Sequence, residues 1–490
     1  MSPQIVVTII ASYFAVLLLI SHFTSKNANS QTFFTANRNS PWYLVAFGMV
    51  GASLSGVTFI SVPGEVGNSD FSYFQLVLGY LLGYFVIATV LMPLYYKLNL
   101  VSIYGYLNQR FGFFAYKTGA FFFILSKIVG ASFRLFLVAG VLQLALFNAW
   151  NIPFWATVLM TIFLIWLYTF RGGIKTIVWT DTLQTLFMLM AVGISIYLIQ
   201  DELNMSFDGL IATVSESEYS QIFFWDWQSG KNFFKQFLSG AFIAIVMTGL
   251  DQDMMQKNLT CKTLKDAQKN MFSFSVVLVI VNFFFLSLGA LLYVYATEKG
   301  IVLPQRSDDL YPLLALNHFT LFAGIIFLLG IIAAAYSSAD SALTGLTTSF
   351  CVDFLSLTSR AEDIKTSTRI KVHIAFSFIL FVVILIFNAI NDRSVISAVF
   401  VAAGYTYGPL LGLYSFGLFT NLKVRDNLVP VVCVICPILS YLIDQNSETL
   451  LGGHKLGFFI IIVNGFLTFV GLLIIKKSSK TDMQDAVQVV

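Results

Sequence analysis

Charge is what this chain of 490 residues has least of: Asp, Glu, Lys and Arg make up 11% of it. Soluble domains carry about 25% charged residues, and mean hydropathy here is +0.81, so a soluble domain of any class is excluded. Cysteine is scarce too. Cys261, Cys351, Cys433 and Cys436 fall on inner connections or within apolar runs, without metal spacing to histidine. Neither a disulfide framework nor a zinc site is supported. No basic patch with interleaved aromatics accompanies the net charge of +3, which sets nucleic acid aside as a partner. The first apolar run lacks a basic leader and a small-residue cleavage site, so it is expected to remain as a helix. No nucleophile, base and metal constellation stands out, and an enzyme is not expected.

What the chain has in abundance is apolar length: 57% of residues are hydrophobic and 16% aromatic. Runs of about 20 apolar residues cross a bilayer as a helix. They lie near 4 to 22, 41 to 66, 72 to 96, 118 to 147, 153 to 170, 178 to 200 and 235 to 250. Others lie near 271 to 297, 320 to 350, 370 to 390, 394 to 420, 428 to 443 and 455 to 475. These thirteen runs predict an all-α integral membrane protein in a lipid bilayer. An odd number puts the termini on opposite sides, and the positive-inside rule says which. With the N-terminus outside, outer connections hold only Lys231, Lys235, Lys299, Arg306, Arg393 and Lys455. Inner ones carry Lys26 and Arg38, then Lys257, Lys262, Lys265 and Lys269, then Arg360, Lys365, Arg369 and Lys371, and finally Lys476, Lys477 and Lys480, among others. The C-terminus is therefore expected inside, in a cell membrane, the inner one if the cell is Gram-negative.

Residues 1–40 read as an extra helix and inner loop, and 201–234 as an acidic outer loop. Residues 422–490 read as two further helices with a short inner tail. Between them, the five-run blocks 41–200 and 235–421 have similar lengths and opposite starting sides, the pattern of a 5+5 inverted repeat. The first helix of each repeat in such folds is broken near midplane. Gly48, Gly51, Ser53, Ser55 and Gly56 offer one break, and the Met247–Asp251 segment the other. Small residues also serve close helix packing, the competing reading for the glycines.

A carboxylate in hydrocarbon costs on the order of 3 kcal/mol, so it faces a partner, a cavity or a cation. Asp340 belongs to a stripe, Ser337, Asp340, Ser341, Thr344 and Thr348, on one helical face. Any one hydroxyl could simply back-bond to its own helix, but the stripe together with Asp181 points to a polar pathway or a cation site. Asp181 shares its depth with Ser341, suggesting a second cation position there. The alternative is a carboxylate at a helix N-terminus. Arg134, deep in its run, either grips an anionic substrate bidentately or pairs with a carboxylate such as Asp340. Lys127 reads as structural or snorkelling.

Several motifs carry a family resemblance. They are Ser102-Ile103-Tyr104-Gly105-Tyr106-Leu107 with Arg110-Phe111, and Gly172-Gly173 followed by Trp179-Thr180-Asp181 and Gln184. To these add Ala-x-x-Ser-Ser ending at Ser338, and the stretch from Gly404 to Gly412. In order and spacing they resemble the solute/sodium symporter family, whose fold is a LeuT-type inverted repeat. The resemblance implies a main sodium site from the carbonyls of Gly51, Leu54 and Ala334 and the hydroxyls of Ser337 and Ser338. It implies a second sodium at Asp181, Ser337, Asp340 and Ser341, with Asp340 standing where relatives have serine. It also implies a solute cavity near Ser53, Ser55 and Thr58. Arg134 is similar in place to an arginine of the family's sialic acid transporters, whereas Val77 stands where a glutamine is expected. The implied activity is sodium-coupled symport of a small organic solute, an anionic sugar or carboxylate, by alternating access, with sodium as coupling ion and no other cofactor. A proton-coupled carrier, with Asp181 or Asp340 titrating, and a solute sensor on the same fold are the rival readings. The short segment after Lys476 disfavours the sensor.

Overall fold

The computed structural model describes residues 3–24, 30–357, 362–390 and 394–477. Of the charges used for orientation, Lys26, Arg360, Arg393 and Lys480 lie outside the described residues. The principal helices are α1 (Pro3–Thr24), α2 (Trp42–Ser69), α3 (Tyr73–Val86), α4 (Phe113–Ala145), α5 (Phe154–Glu202), α6 (Phe233–Ala244) and α7 (Gln252–Asn258). They continue with α8 (Leu264–Glu298), α9 (Leu321–Ser349), α10 (Glu362–Ile390), α11 (Val395–Thr406), α12 (Gly408–Phe419), α13 (Val429–Gln445) and α14 (Ile460–Ile474). Among the described residues nine helices are long and apolar enough to cross a membrane, or up to eleven if each of two bent pairs is one span.

Two expected boundaries between runs are not gaps in the helix. Residues Trp42–Lys97 form one apolar helical stretch, turned at Asp70 (φ 55°, ψ −148°). The runs near 153 to 170 and 178 to 200 join in α5, interrupted by a single non-helical residue, Gly173 (φ 54°, ψ −143°). A side chain there would be strained in the left-handed region, and its Cβ would meet the Phe33 ring.

Both anticipated breaks are present. In α2 the helix is interrupted at Ser55, whose φ of 34° and ψ of 172° are non-helical. Such a conformation costs about 1–3 kcal/mol in a residue with a Cβ and persists only where packing enforces it. The packing is close: a Cβ on Gly51 would collide with Thr185 of α5. The second break follows α6, which runs through a π-helical turn, Ile245–Gly249, before the chain bends by 72° into α7. The Asp251 carboxylate caps α7 by accepting from the backbone N–H groups of Asp253 at 3.0 Å and Met254 at 3.2 Å.

A break in a membrane helix strands carbonyls that have no water to turn to. Here tyrosines meet them. Tyr95 donates to the Gly249 carbonyl at 2.8 Å and Tyr104 to that of Leu250 at 2.9 Å. The Ile103 N–H donates to the Gln252 side chain at 2.9 Å, and the Ile103 carbonyl accepts from Tyr414 at 2.9 Å. The turn around 102–107 is thus a clasp on the second break.

Helix α2 packs on α8, and α6 packs on α3, so the first helix of each block lies against the second helix of the other. Helix α9 is central, packed against α5, α2 and α4 and buried without interruption from Gly330 to Ser349.

Candidate functional site

A cavity with about 980 Å³ of empty space, counting its open mouth, lies beside the two breaks. Ser53, Ser55 and Thr58 of α2, Arg134 of α4, Asp251, and Tyr407 between α11 and α12 all line it. The four side chains expected at a solute site are therefore brought to one cavity. Among the described residues Arg134 makes no hydrogen bond or ion pair, and none with Asp340. Its charge acts instead on the Tyr80 and Tyr407 phenols.

At the end of the cavity formed by the second break there is a charged floor. Lys127 is 5% exposed, and its ammonium lies 3.2 Å from Asp251 and 2.6 Å from Asp253. Tyr407 donates to Asp251 at 2.6 Å. Lys127 does not snorkel: it is sequestered between two carboxylates of the broken helix, which an isolated buried ammonium would require as partners. At the opposite end Tyr73 and Phe400 line both this cavity and a vestibule that includes Glu65, Lys231 and Phe458. Their rings stack with centroids 6.3 Å apart and planes at 22°.

The residues expected to hold sodium gather where α2 meets α9. A half-helix that stops at Ser55 leaves the carbonyls of its last turn, residues 51 to 54, without the usual partners, and Gly51 and Leu54 belong to that turn. Across from it, Cβ positions on Gly56 and Gly330 would touch Ile331 and Phe59 respectively. The next turn of α9 towards its C-terminus carries Ala334, Ser337 and Ser338. Ser338 is 4% exposed, and its buried hydroxyl has no hydrogen-bond partner among the described residues. Ser337 donates to Asp181 Oδ1 at 2.7 Å, which leaves its oxygen lone pairs available. Carbonyl and hydroxyl oxygens of this kind are hard ligands, the donor set a small alkali cation takes.

Asp181 is 1% exposed. Its second oxygen, Oδ2, accepts from the Lys257 ammonium at 2.7 Å. Lys257 had counted as an inner-loop charge in the orientation argument. It is instead a residue of α7, 1% exposed. The set expected around a second sodium therefore holds a lysine ammonium on its carboxylate. Asp340 and Ser341 are buried beside it, Ser341 donating to Asp340 Oδ1 at 3.2 Å. Lower on the stripe, Thr348 accepts from Gln256 of α7 at 3.3 Å. Sequence reasoning missed Tyr80, Tyr407, Asp253 and Lys257 as members of the site. Asp251 and Asp253 were legible as an Asp-x-Asp beside the second break, but the tyrosines carried no signal.

The pattern of the Sodium:solute symporter family matches residues 33–424. The chain belongs to this family. Among curated relatives, the sodium/sialic acid symporter NanT of Aliivibrio fischeri is 25% identical over 478 residues, spanning 93% of this chain and 90% of its own. The sodium/sialic acid symporter SiaT of Proteus mirabilis is 23% identical, over 94% of this chain and 92% of its own. The fold is that of a solved Na+-coupled sialic acid symporter in a substrate-bound outward-open state: the TM-score is 0.81 at 20% identity, covering 96% of this chain and 97% of that one. This member of the sodium:solute symporters is thus a multi-pass membrane transporter, and its unpartnered arginine and unpartnered buried hydroxyl stand in the positions just described.

Proposed function

We propose that this symporter imports a small carboxylate-bearing solute together with sodium. An acidic sugar of the sialic acid kind is the first candidate. The observation that carries the reading is Arg134: a guanidinium with no hydrogen-bond or ion-pair partner among the described residues, facing a cavity walled by the broken α2. An uncompensated charge at this depth is costly, and a solute carboxylate would remove the cost while matching the guanidinium fork. Ser53, Ser55 and Thr58 offer hydroxyls to the rest of the solute, and the Asp251 floor offers acceptors for its hydroxyl groups. The names of the relatives fit an anionic sugar.

In the cycle we envisage, sodium enters from outside and takes the carbonyls of Gly51, Leu54 and Ala334 and the hydroxyls of Ser337 and Ser338. It ties the broken α2 to α9 and fixes the wall against which the solute binds. The Tyr73–Phe400 pair closes the outer path, and α7 with its clasp moves to open the inner one. Each sodium charge released inward gains about 2.3 kcal/mol per 100 mV of potential. Coupling requires that sodium and solute strengthen each other's binding by the same factor.

The proposed topology is thirteen spans, N-terminus outside and C-terminus inside, with 41–200 and 235–421 as inverted five-helix repeats, in the cell membrane or the inner membrane of a Gram-negative cell. The reciprocal packing of α2 on α8 and α6 on α3 supports the repeat. The length of Trp42–Lys97, 56 residues, supports two crossings there, because at 1.5 Å per residue it would reach about 84 Å.

The test is thermal stabilisation of the purified protein by acidic sugars, neutral sugars, amino acids and simple carboxylates, each in sodium and in choline at equal ionic strength. Ligand binding to the folded state raises the melting temperature. We expect a shift with an acidic solute in sodium and little in choline. A shift with a neutral solute alone would overturn the carboxylate reading, and equal shifts in choline would overturn sodium coupling.

A further inference from the structure

We infer that Lys257 is a built-in cation: its ammonium takes the place of a second sodium on Asp181, so that the chain binds one sodium ion rather than two. The inference rests on the sodium-coupled reading above and goes beyond it by assigning the ion count to a residue. Asp181 has two oxygens and both are engaged. Oδ1 accepts from Ser337 at 2.7 Å and Oδ2 from Lys257 at 2.7 Å. The side chains of Lys257 and Asp181 are 2% and 1% exposed, so bulk solvent does not screen the pair. Asp253 and Asp340 add negative potential around the same ammonium. A pocket of carboxylate and hydroxyl oxygens with this charge is a place for a monovalent cation, and the chain supplies one covalently attached. The ammonium carries three donors, and occupancy by a tethered group does not depend on sodium concentration.

The tether is placed to matter for the remaining site. Lys257 lies on α7, beyond the second break, whereas Asp181 lies on α5 and Ser337 on α9. The chain of contacts from Lys257 through Asp181 to Ser337 holds the Ser337 hydroxyl with its proton on Asp181 and its lone pairs directed elsewhere, beside the unpartnered hydroxyl of Ser338. Lys257 is therefore also a positioning residue for the first sodium, and it links the inner half of the second broken helix to that ion.

The experiment is equilibrium binding of ²²Na+ to the purified full-length protein, without solute, with choline holding ionic strength constant. The wild type should saturate at one ion per chain. Lys257→Ala opens the Asp181 oxygens and should saturate at two, Lys257→Arg should stay at one, and Lys257→Ala with Asp181→Asn should return to one. Lys257→Met, which fills more of the vacated space, repeats the alanine test if that variant elutes as aggregate. A wild-type count of two overturns the inference whatever the variants do, as does a count of one in well-folded Lys257→Ala and Lys257→Met. A wild-type count of zero would instead refute sodium coupling, and a gain of one ion in Lys257→Ala would still decide whether the lysine occupies a cation position.

Discussion

Replacing Arg134 with lysine keeps a positive charge in the cavity and removes the planar fork. If a solute carboxylate is held by two parallel charge-assisted hydrogen bonds, each worth about 1.5–3 kcal/mol, the lysine forfeits one of them. At about 1.4 kcal/mol per decade, the half-saturating solute concentration should rise about 10- to 100-fold. Arg134→Gln removes the charge as well and should raise it further, by about 1000-fold or more. Arg134 has no hydrogen bond or ion pair among the described residues, so neither substitution should lower the melting temperature of the solute-free protein. The two measurements are sodium-driven uptake into proteoliposomes, with the solute found by the stabilisation panel, and melting without solute. Unchanged half-saturation in Arg134→Lys would refute bidentate recognition. Unchanged half-saturation with a lower melting temperature would make Arg134 a structural residue.

Two other substitutions separate roles that the sequence leaves mixed. Ser338→Ala removes a hydroxyl that has no protein partner, so stability should hold, while the sodium concentration for half-maximal uptake should rise about 10-fold, the worth of one hydrogen-bond-strength ligand; an unchanged sodium dependence would take Ser338 out of the site. Lys127→Met strands Asp251 and Asp253 without their cation, and breaking a buried pair in this way costs about 3–5 kcal/mol. The purified variant should melt well below the wild type, and an unchanged melting temperature would show that the pair is not maintained.

The two helix breaks, Asp181 and Arg134 all stood out in the chain as candidates, because each sets a polar or conformationally permissive residue against an apolar background, but packing glycines, a helix-terminal Asp181 and an Arg134 paired with Asp340 were open alternatives to them. Lys257 was not, for a definite reason. Helix α7 is seven residues long and includes Gln252, Asp253, Gln256, Lys257 and Asn258, so hydropathy assigns it to a loop and its lysine to the inner surface. Only its tertiary surroundings bury it. Lys127 was seen to lie in a span, but its partners sit 124 and 126 positions further along the chain, and no local pattern connects them. The tyrosines fail for the opposite reason: in a chain with 16% aromatics, Tyr95, Tyr104 and Tyr407 look like any other core rings until the carbonyls and carboxylate they serve are in view.

The two ends of the cavity are closed by different chemistry, which bears on how the proposed cycle can open them. At one end, the outer one in the proposed topology, stands a stacked aromatic pair, Tyr73 and Phe400. The other end is polar: α7 is held by Lys257 on Asp181, Gln252 on the 101–103 backbone, Gln256 on the Phe34 carbonyl at 2.7 Å and Asn258 accepting from Asn270 at 2.6 Å. A neutral protein hydrogen bond exchanged for one to water changes stability by only about 0.5–1.5 kcal/mol, and one to a charged group by about 1.5–3 kcal/mol, so the neutral bonds here can be wetted and released at modest cost while the Lys257–Asp181 pair is the costliest to part. An apolar seal of the same size would have to expose its whole area to water, at about 25 cal/mol per Å². For the proposed cycle, the buried polar residues of α7 are therefore a physical basis for a gate that stays shut with its bonds satisfied and opens once water can replace them.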